Sequence, residues 1–293
     1  MERTFDLSAP DGRILHVHED GDPQGRPVVS HHGTPSGGGN YPRHAELARS
    51  LGLRLIGYDR PGYGGSTPHP GRTVADAAGD VAAILDALEI ERFATWGGSG
   101  GGPHALACAA LLPDRCAAAV TLAGVAPYEA EGLDWLAGQG ADNVAEWAAA
   151  QEGREALEAF CTGMREELTH ATPAGLVEAL RSLLSEVDAA SVTDALGEHL
   201  LRGLRHGLAP GVDGWVDDDH AFLAPWGFAL DAVAVPVLVW QGRHDLMVPP
   251  AHGEWLAGHV AGAEARLSEE DGHITLVERR MGDVYAWLGR YTF

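Results

Sequence analysis

Four glycines around one serine, in the run Gly97-Gly98-Ser99-Gly100-Gly101, constrain this chain more than any other feature. A β-branched and aromatic stretch at residues 92–96 predicts a strand before them, and an Ala- and Leu-rich stretch at residues 100–112 predicts a helix after them. A turn that sharp strains the backbone of the serine and crowds its neighbours, and glycines avoid the Cβ clashes. The run therefore fits the pattern G-x-S-x-G, which presents a serine between a strand and a helix.

Strand and helix patterns alternate along the first 126 residues and again after residue 232. The predicted strands cover residues 4–7, 14–18, 27–30, 53–58, 92–96, 117–123, 235–240 and 263–267. Such alternation predicts an α/β fold with a mostly parallel sheet covered on both faces. Residues 127–231 show only helical spacing, so we expect a core at 1–126 and 232–293 interrupted by a helical insertion.

Charge and hydropathy exclude some partners. The formal charge is −22, and a surface this acidic repels phosphate backbones and anionic lipids. We find no apolar run of about 18 residues and no leader pattern at the start, and so expect a cytoplasmic protein that acts on a small molecule, without nucleic-acid or membrane partners. The oligomeric state does not follow from the sequence.

A serine hydroxyl needs a general base, and the base needs an orienting acid. Asp245 follows the strand at 235–240, and His273 follows the strand at 263–267. Loops at the carboxyl ends of parallel strands meet at one edge of the sheet, so Ser99, Asp245 and His273 can converge. Asp271 competes for the acid's role, and so does the run 217–219, which we interpret as a solvated loop or a helix start.

An oxyanion formed at Ser99 would need hydrogen-bond donors. The N–H of Gly100 lies at the start of the predicted helix, where the helix dipole favours negative charge. The second donor is predicted to be the N–H of Thr34, in the loop after the third strand.

No motif in the sequence predicts a cofactor or a metal ion. His31 and His32 are adjacent at a strand end and point to opposite faces, which disfavours a shared ion. The glycine run lacks the Lys-Ser/Thr of a phosphate-binding loop. The three cysteines, Cys108, Cys116 and Cys161, contain no C-x-x-C, so we expect reduced structural thiols.

Taken together, the motifs resemble those of the α/β-hydrolase-fold serine hydrolases, in the branch of the esterases and proline iminopeptidases. The matching segments, in the family's order, are His32-Gly33-Thr34-Pro35, residues 58–66, the turn at Ser99, residues 242–245 and Gly272-His273. The resemblance implies an eight-stranded, mostly parallel sheet with a helical cap inserted after the sixth strand. The turn carries Ser where the similar epoxide hydrolases and haloalkane dehalogenases carry Asp, which argues against an alkyl-enzyme ester.

The resemblance leads us to expect a cofactor-independent hydrolase that cleaves an ester of a small or medium-sized apolar compound through an acyl-enzyme. Its activity should rise with pH around about 6.5 if His273 is unperturbed. Aromatic residues expected to line the pocket are Trp215, Phe222, Trp226 and Phe228. The alternatives are a carbon–carbon bond hydrolase, a non-catalytic binding module, and a proline-iminopeptidase-like aminopeptidase. The aminopeptidase would hold the amino terminus of its substrate with acidic cap residues, for which the candidates are Glu152, Glu155, Glu166, Glu167 and Asp217.

Overall fold

The computed structural model describes residues 2–291, and an eight-stranded sheet forms its centre. The strands run in the spatial order β1-β2-β4-β3-β5-β6-β7-β8, in which β2 is antiparallel to both β1 and β4 and all other neighbours are parallel. Their bounds are Arg3–Ser8 (β1), Ile14–Gly21 (β2), Arg26–His31 (β3), Leu53–Tyr58 (β4), Phe93–Gly98 (β5), Cys116–Leu122 (β6), Val237–Gly242 (β7) and Glu264–Ser268 (β8). The predicted fold class is confirmed.

Helices cover both faces of the sheet and bury its apolar side chains in two layers. Helices α1 (Pro42–Ser50) and α11 (His273–Leu288) pack on one face, where the buried side chains include Leu55, Leu238 and Trp287. Helices α2 (Asp76–Ala87), α3 (Gly101–Leu111) and α10 (Pro250–His259) cover the other. The central strands β6 and β7 are buried along their whole length and are mostly apolar, because helices cover both faces of the sheet.

Between β6 and β7 the chain is helical, and we call residues 123–236 the helical insertion. Its helices are α4 (Ala141–Glu152), α5 (Arg154–His170), α6 (Pro173–Ala179), α7 (Glu186–Ala189), α8 (Asp194–Gly207) and α9 (Asp213–Leu223). Thr172, Ser185 and Thr193 begin α6, α7 and α8, and each side-chain oxygen accepts a backbone N–H of the first turn. Among residues 2–291, no helix combines the length and the apolar character that crossing a bilayer requires.

The turn from β5 to α3 is tighter than the sequence prediction. Strand β5 continues to Gly98, and α3 begins at Gly101, so only two residues join them. Ser99 has a φ of 54°, a left-handed conformation that costs energy for a residue with a side chain. Gly97 and Gly101 make this turn possible: a Cβ on Gly97 would lie 2.0 Å from the Gly101 carbonyl oxygen, and one on Gly101 would lie 2.2 Å from the His31 carbonyl oxygen.

This geometry predicts that two neighbouring substitutions differ in their effect on stability. Gly97→Ala should lower the free energy of unfolding by about 2 kcal/mol or more, because the clash is with backbone that cannot move away. Gly98→Ala is the matched control, since its nearest new contact is a side-chain carbon 3.6 Å away. Denaturant unfolding of both variants measures the difference, and equal stability of the two would contradict the described turn.

Candidate active site

Ser99 lies at the carboxyl end of β5, in the wall shared by two cavities. The first has a volume of about 270 Å³, and helices of the helical insertion close it. The second has a volume of about 210 Å³ and extends towards α1. Ser99 and His273 line both cavities. The structure therefore brings two of the three predicted catalytic residues to the same junction.

The third, Asp245, lies directly behind His273. Its Oδ2 is 2.8 Å from His273 Nδ1, and the Asp245 side chain is only 2% exposed. Asp245 Oδ1 accepts the backbone N–H groups of Met247 (2.9 Å) and Val248 (2.8 Å), so the loop after β7 fixes the carboxylate. Gln241 Nε2 also donates to Asp245 Oδ2, at 3.1 Å. A carboxylate only accepts, so this contact places a proton on His273 Nδ1 and leaves Nε2 directed to other partners.

The pKa of His273 is raised above its ordinary value. Burial lowers the pKa, but the Asp245 charge, its hydrogen bond to Nδ1 and the Asp188 charge together outweigh burial. The pKa of Asp245 is also raised, because burial outweighs the hydrogen bonds that favour the carboxylate. The unperturbed value that the sequence analysis assumed for His273 is therefore too low.

Asp188, which the sequence analysis did not single out, binds the first turn of α11. Its carboxylate accepts the N–H of His273 at 2.8 Å, the N–H of Thr275 at 2.9 Å and the Thr275 hydroxyl at 2.9 Å. A Cβ on Gly272 would lie 2.1 Å from Asp188 Oδ2, so glycine leaves room for this carboxylate. Asp188 is in α7 of the helical insertion, far from α11 in the sequence. Its carboxylate caps the N-terminus of α11, the helix whose first residue is His273.

The loop after β3 lies next to Ser99, as predicted for Thr34. A Cβ on Gly33 would lie 3.5 Å from Ser99 Cβ, and one on Gly100 would lie 2.4 Å from Thr34 Oγ1. Arg60 holds this loop, because its guanidinium donates to the carbonyl oxygens of His32 and Gly33 and to Thr34 Oγ1. Gly100 and Thr34 therefore lie side by side at the carboxyl edge of the sheet.

Asp218 completes this arrangement from the helical insertion. Its Oδ2 accepts the Thr34 hydroxyl at 2.6 Å, Arg60 Nη2 at 2.6 Å and the Tyr63 hydroxyl at 2.9 Å, while Arg72 lies 2.7 Å from Oδ1. Burial raises the pKa of Asp218, but the two arginines outweigh it and hold the pKa well below the usual range. The carboxylate is therefore ionised and fixes the loop that carries Thr34.

The interpretation of residues 217–219 as a solvated segment is wrong. All three lie inside α9 and are at most 2% exposed. Asp217 pairs with Arg154, and Asp219 lines the first cavity. The competing acid Asp271 pairs with Arg279 and Arg280 instead of facing His273.

Two of the four predicted aromatic residues line the first cavity. Trp215 and Phe222 project from α9 into its wall, together with mostly apolar side chains from α5, α6 and α8. Trp226 and Phe228 lie outside this cavity. Their rings are 5.8 Å apart, and the Trp226 carbonyl accepts the N–H of Ala75 just before α2. Both residues come after the end of α9, where the chain no longer borders the cavity.

Acidic side chains also line the first cavity, although they are not those that the sequence analysis considered. Glu152, Glu155, Glu166 and Glu167 are exposed on the outer faces of α4 and α5. The lining acids are Asp142, Glu146 and Asp219. Burial raises the pKa of Glu146 and, with the adjacent Glu146 carboxylate, raises that of Asp219 well above its usual range. The proximity of the two carboxyl groups therefore disfavours a second negative charge in this cavity.

Among residues 2–291, one group of potential metal-ligating side chains lies close together. It consists of His16, His18, Asp59 and His206, and it lies outside the first cavity.

His32, which borders the second cavity, is held neutral: burial and the Arg60 charge lower its pKa to about 3. Its Nε2 accepts the N–H of Arg60, so its role is to shape the loop.

Asp188→Asn tests the distant cap. One side-chain oxygen becomes an NH2 donor that faces backbone N–H groups, so we expect the free energy of unfolding to fall by about 2 kcal/mol. The pKa of His273 should also fall, because a negative charge that raises it is lost. NMR titration of the His273 ring measures that pKa. Glu186→Gln, exposed on the same helix, should change neither quantity; an unchanged His273 pKa in Asp188→Asn would refute the assignment.

Comparison with known proteins gives the family. Residues 26–279 match the family model described as the alpha/beta hydrolase fold. A probable proline iminopeptidase from Leptolyngbya boryana is 36% identical over 105 residues, which are 35% of this chain and 32% of that protein. For the first curated relatives, the matched stretch spans only about a third to under half of the relative's length.

Solved structures have a similar fold over almost the whole length of this chain. An alpha/beta hydrolase fold protein from Nakamurella multipartita has a TM-score of 0.65 and 25% identity, with 98% of each chain covered. A thermophilic esterase from Thermogutta terrifontis has a TM-score of 0.69 and 21% identity, also over 98% of each chain, a likeness that shows the fold alone. The chain therefore belongs to the α/β-hydrolase-fold family.

Proposed function

We propose that this α/β-hydrolase is a serine hydrolase that cleaves a carboxylic ester of a small or medium-sized apolar compound through an acyl-enzyme. The observation that carries the proposal is the 2.8 Å contact between His273 Nδ1 and Asp245, with His273 and the strained turn of Ser99 in one cavity wall. This arrangement supports a nucleophile, a base and an orienting acid that act together, as acyl transfer requires.

The reaction would begin when Ser99 Oγ attacks the ester carbonyl carbon and His273 Nε2 takes the hydroxyl proton. The carbonyl oxygen becomes an oxyanion that accepts the N–H groups of Thr34 and Gly100. His273 then gives the proton to the leaving alcohol, and the carbon–oxygen bond breaks. A water molecule, deprotonated by the same nitrogen, releases the acid and restores Ser99. Asp245 keeps the Nδ1 proton in place and stabilises the imidazolium in both halves.

Among the described residues 2–291, the hydrogen bonds of His273 are those to Asp188 and Asp245, and none joins its ring to Ser99 Oγ. Such contacts are often long in free enzymes and shorten when substrate binds. Both side chains border the same two cavities, so a carbonyl group bound at their junction could reach both.

The two cavities favour a substrate with two substituents around one carbonyl group. An ester bound at Ser99 could place its acyl chain in the first, largely apolar cavity, among Trp147, Phe160 and Phe222. The alcohol portion would extend into the second cavity, where polar side chains such as Asn40, Tyr41 and His199 are available. This division favours an ester, which carries a group on each side of its carbonyl, over a substrate with a group on one side only.

A second candidate function is supported by the acidic pair Glu146 and Asp219. Carboxyl groups inside an apolar cavity could bind an ammonium group, as an aminopeptidase of the proline-iminopeptidase type would require. The sequence-similar proline iminopeptidases make this the main alternative.

The pH dependence of kcat/KM should follow the raised pKa of His273. The base must be neutral, so activity rises with pH, and the midpoint should lie above the ordinary histidine value of about 6.5. Initial rates between pH 5 and 9 measure it. Asp245→Asn should reduce kcat by roughly 10⁴-fold because it favours the wrong tautomer. A midpoint below 6.5, or a flat profile, would contradict His273 as the base.

A substrate panel separates the two candidate functions. We expect wild-type protein to hydrolyse p-nitrophenyl esters of short and medium acyl chains faster than proline arylamide, and Ser99→Ala to lose both activities. Ser99→Ala should also lose labelling by a fluorophosphonate, and absence of labelling in folded wild-type protein would favour a binding module instead.

Glu146→Gln refines the comparison, with exposed Glu152→Gln on the same helix as its control. Loss of arylamide hydrolysis in Glu146→Gln, with ester hydrolysis retained, would indicate ammonium recognition. Faster arylamide than ester hydrolysis in wild-type protein would overturn the ester assignment in favour of the aminopeptidase.

A further inference from the structure

We propose that His16, His18, Asp59 and His206 bind one transition-metal ion of the Zn²⁺ class, which joins the helical insertion to the sheet. The sequence analysis expected no metal ion: it considered only His31 and His32 as ligands and did not single out these four residues. The fold brings one potential ligand atom from each within 4.8 Å of all the others.

Three parts of the fold supply these side chains. His16 and His18 are alternate residues of β2 and therefore point to the same face of the sheet. Asp59 follows β4 directly, and His206 lies in the last turn of α8. The three imidazole rings are neighbours, with centroids 4.9 Å (His16–His18), 5.4 Å (His18–His206) and 5.9 Å (His16–His206) apart.

The carboxylate of Asp59 occupies the centre of the group. Its Oδ1 is 3.1 Å from His18 Nε2, and its Oδ2 is 2.7 Å from His206 Nε2. A tetrahedral ion with bonds near 2.0–2.1 Å holds its ligand atoms roughly 3.3 Å apart, so these spacings need only small adjustments. Backbone N–H groups of Gly38 and Gly65 bind the same two oxygens at 2.7 Å and 2.9 Å and fix the carboxylate.

The outer contacts of the histidines are those of metal sites. His16 Nδ1 is 2.6 Å from an Asp6 carboxylate oxygen, and His18 Nδ1 is 3.1 Å from a Glu2 carboxylate oxygen. A carboxylate on Nδ1 orients each ring and leaves Nε2 for the ion, as in carboxylate–histidine–zinc arrangements. Because carboxylates only accept, His18 and His206 each donate an Nε2–H to Asp59, and both protons must leave Nε2 when the ion binds there.

Backbone packing leaves space for this group. Gly64 and Gly65 run beside it: a Cβ on Gly64 would lie 2.0 Å from Asp59 Oδ2 and 2.6 Å from His206 Nε2, and one on Gly65 would lie 2.8 Å from His16 Cβ. His206 is 39% exposed and His16 is 21% exposed, so an ion has access from solvent.

The donor set selects the ion. Three imidazole nitrogens and one carboxylate oxygen suit Zn²⁺ and its neighbours, whereas Ca²⁺ and Mg²⁺ prefer sites made only of oxygen. The position gives the ion a structural consequence, because α8 also supplies Leu200 and Leu204 to the first cavity. A bound ion would hold that cavity wall to β2 and β4.

The test is a Zn²⁺ titration of the complete chain, purified without a histidine tag, in competition with a chromophoric chelator. We expect one equivalent to bind, and Tm to rise by roughly 5 °C when free Zn²⁺ is about a hundredfold above Kd. CaCl2 should do neither. Co²⁺ in place of Zn²⁺ should give the visible absorption of a four-coordinate ion.

Variants distinguish this site from incidental binding. His206→Gln removes a partly exposed ligand and should weaken Zn²⁺ binding by ~100-fold or more. His170→Gln, which changes an exposed histidine at the end of α5, is the matched control and should bind as wild type does. The proposal is overturned if wild-type protein binds no stoichiometric Zn²⁺, or if His206→Gln binds it with unchanged affinity.

Discussion

The close approach of two backbone segments at the Ser99 turn is the constraint on which the site depends. Strand β5 and helix α3 are joined by two residues, and the Gly101 carbonyl oxygen occupies the space where residue 97 would carry a Cβ. The same approach brings Gly101 against the end of β3, so the loop of Thr34 is drawn next to Gly100. One steric condition thus exposes the serine and assembles its neighbours, and it explains why Ser99 tolerates a φ of 54°.

Buried carboxylates of the helical insertion complete the arrangement from above the sheet. Asp188 binds the first N–H groups of α11, and Asp218 binds Arg60, Arg72 and the Thr34 hydroxyl. Both side chains are fully buried, so removing either partner would leave an uncompensated charge or donor in a low-dielectric interior. The insertion is therefore part of the site's electrostatics as well as a wall of its cavity, since Asp188 contributes to the raised pKa of His273.

Local sequence was sufficient for the fold class and for the turn at Ser99, because periodicity and glycine placement act over a few residues. It also indicated that Asp245 and His273 follow neighbouring strands. Asp188, Glu146 and Asp218 could not be assigned, since their roles depend on how helices of the insertion pack on the sheet. Three consecutive acids at 217–219 resembled a solvated segment; their spacing from Trp215 and Phe222 within one helix was the available signal. The alternation His16-x-His18 on a strand was a comparable signal for the histidine group.

In the proposed mechanism, Ser99, His273 and the donors Thr34 and Gly100 act on one carbonyl group. A crystal structure of the protein after reaction with a fluorophosphonate would show whether they do. We expect phosphorus bonded to Ser99 Oγ, with one phosphonyl oxygen about 3 Å from the backbone nitrogens of both Thr34 and Gly100. Phosphorus on another residue, or that oxygen directed away from both nitrogens, would contradict the proposed mechanism.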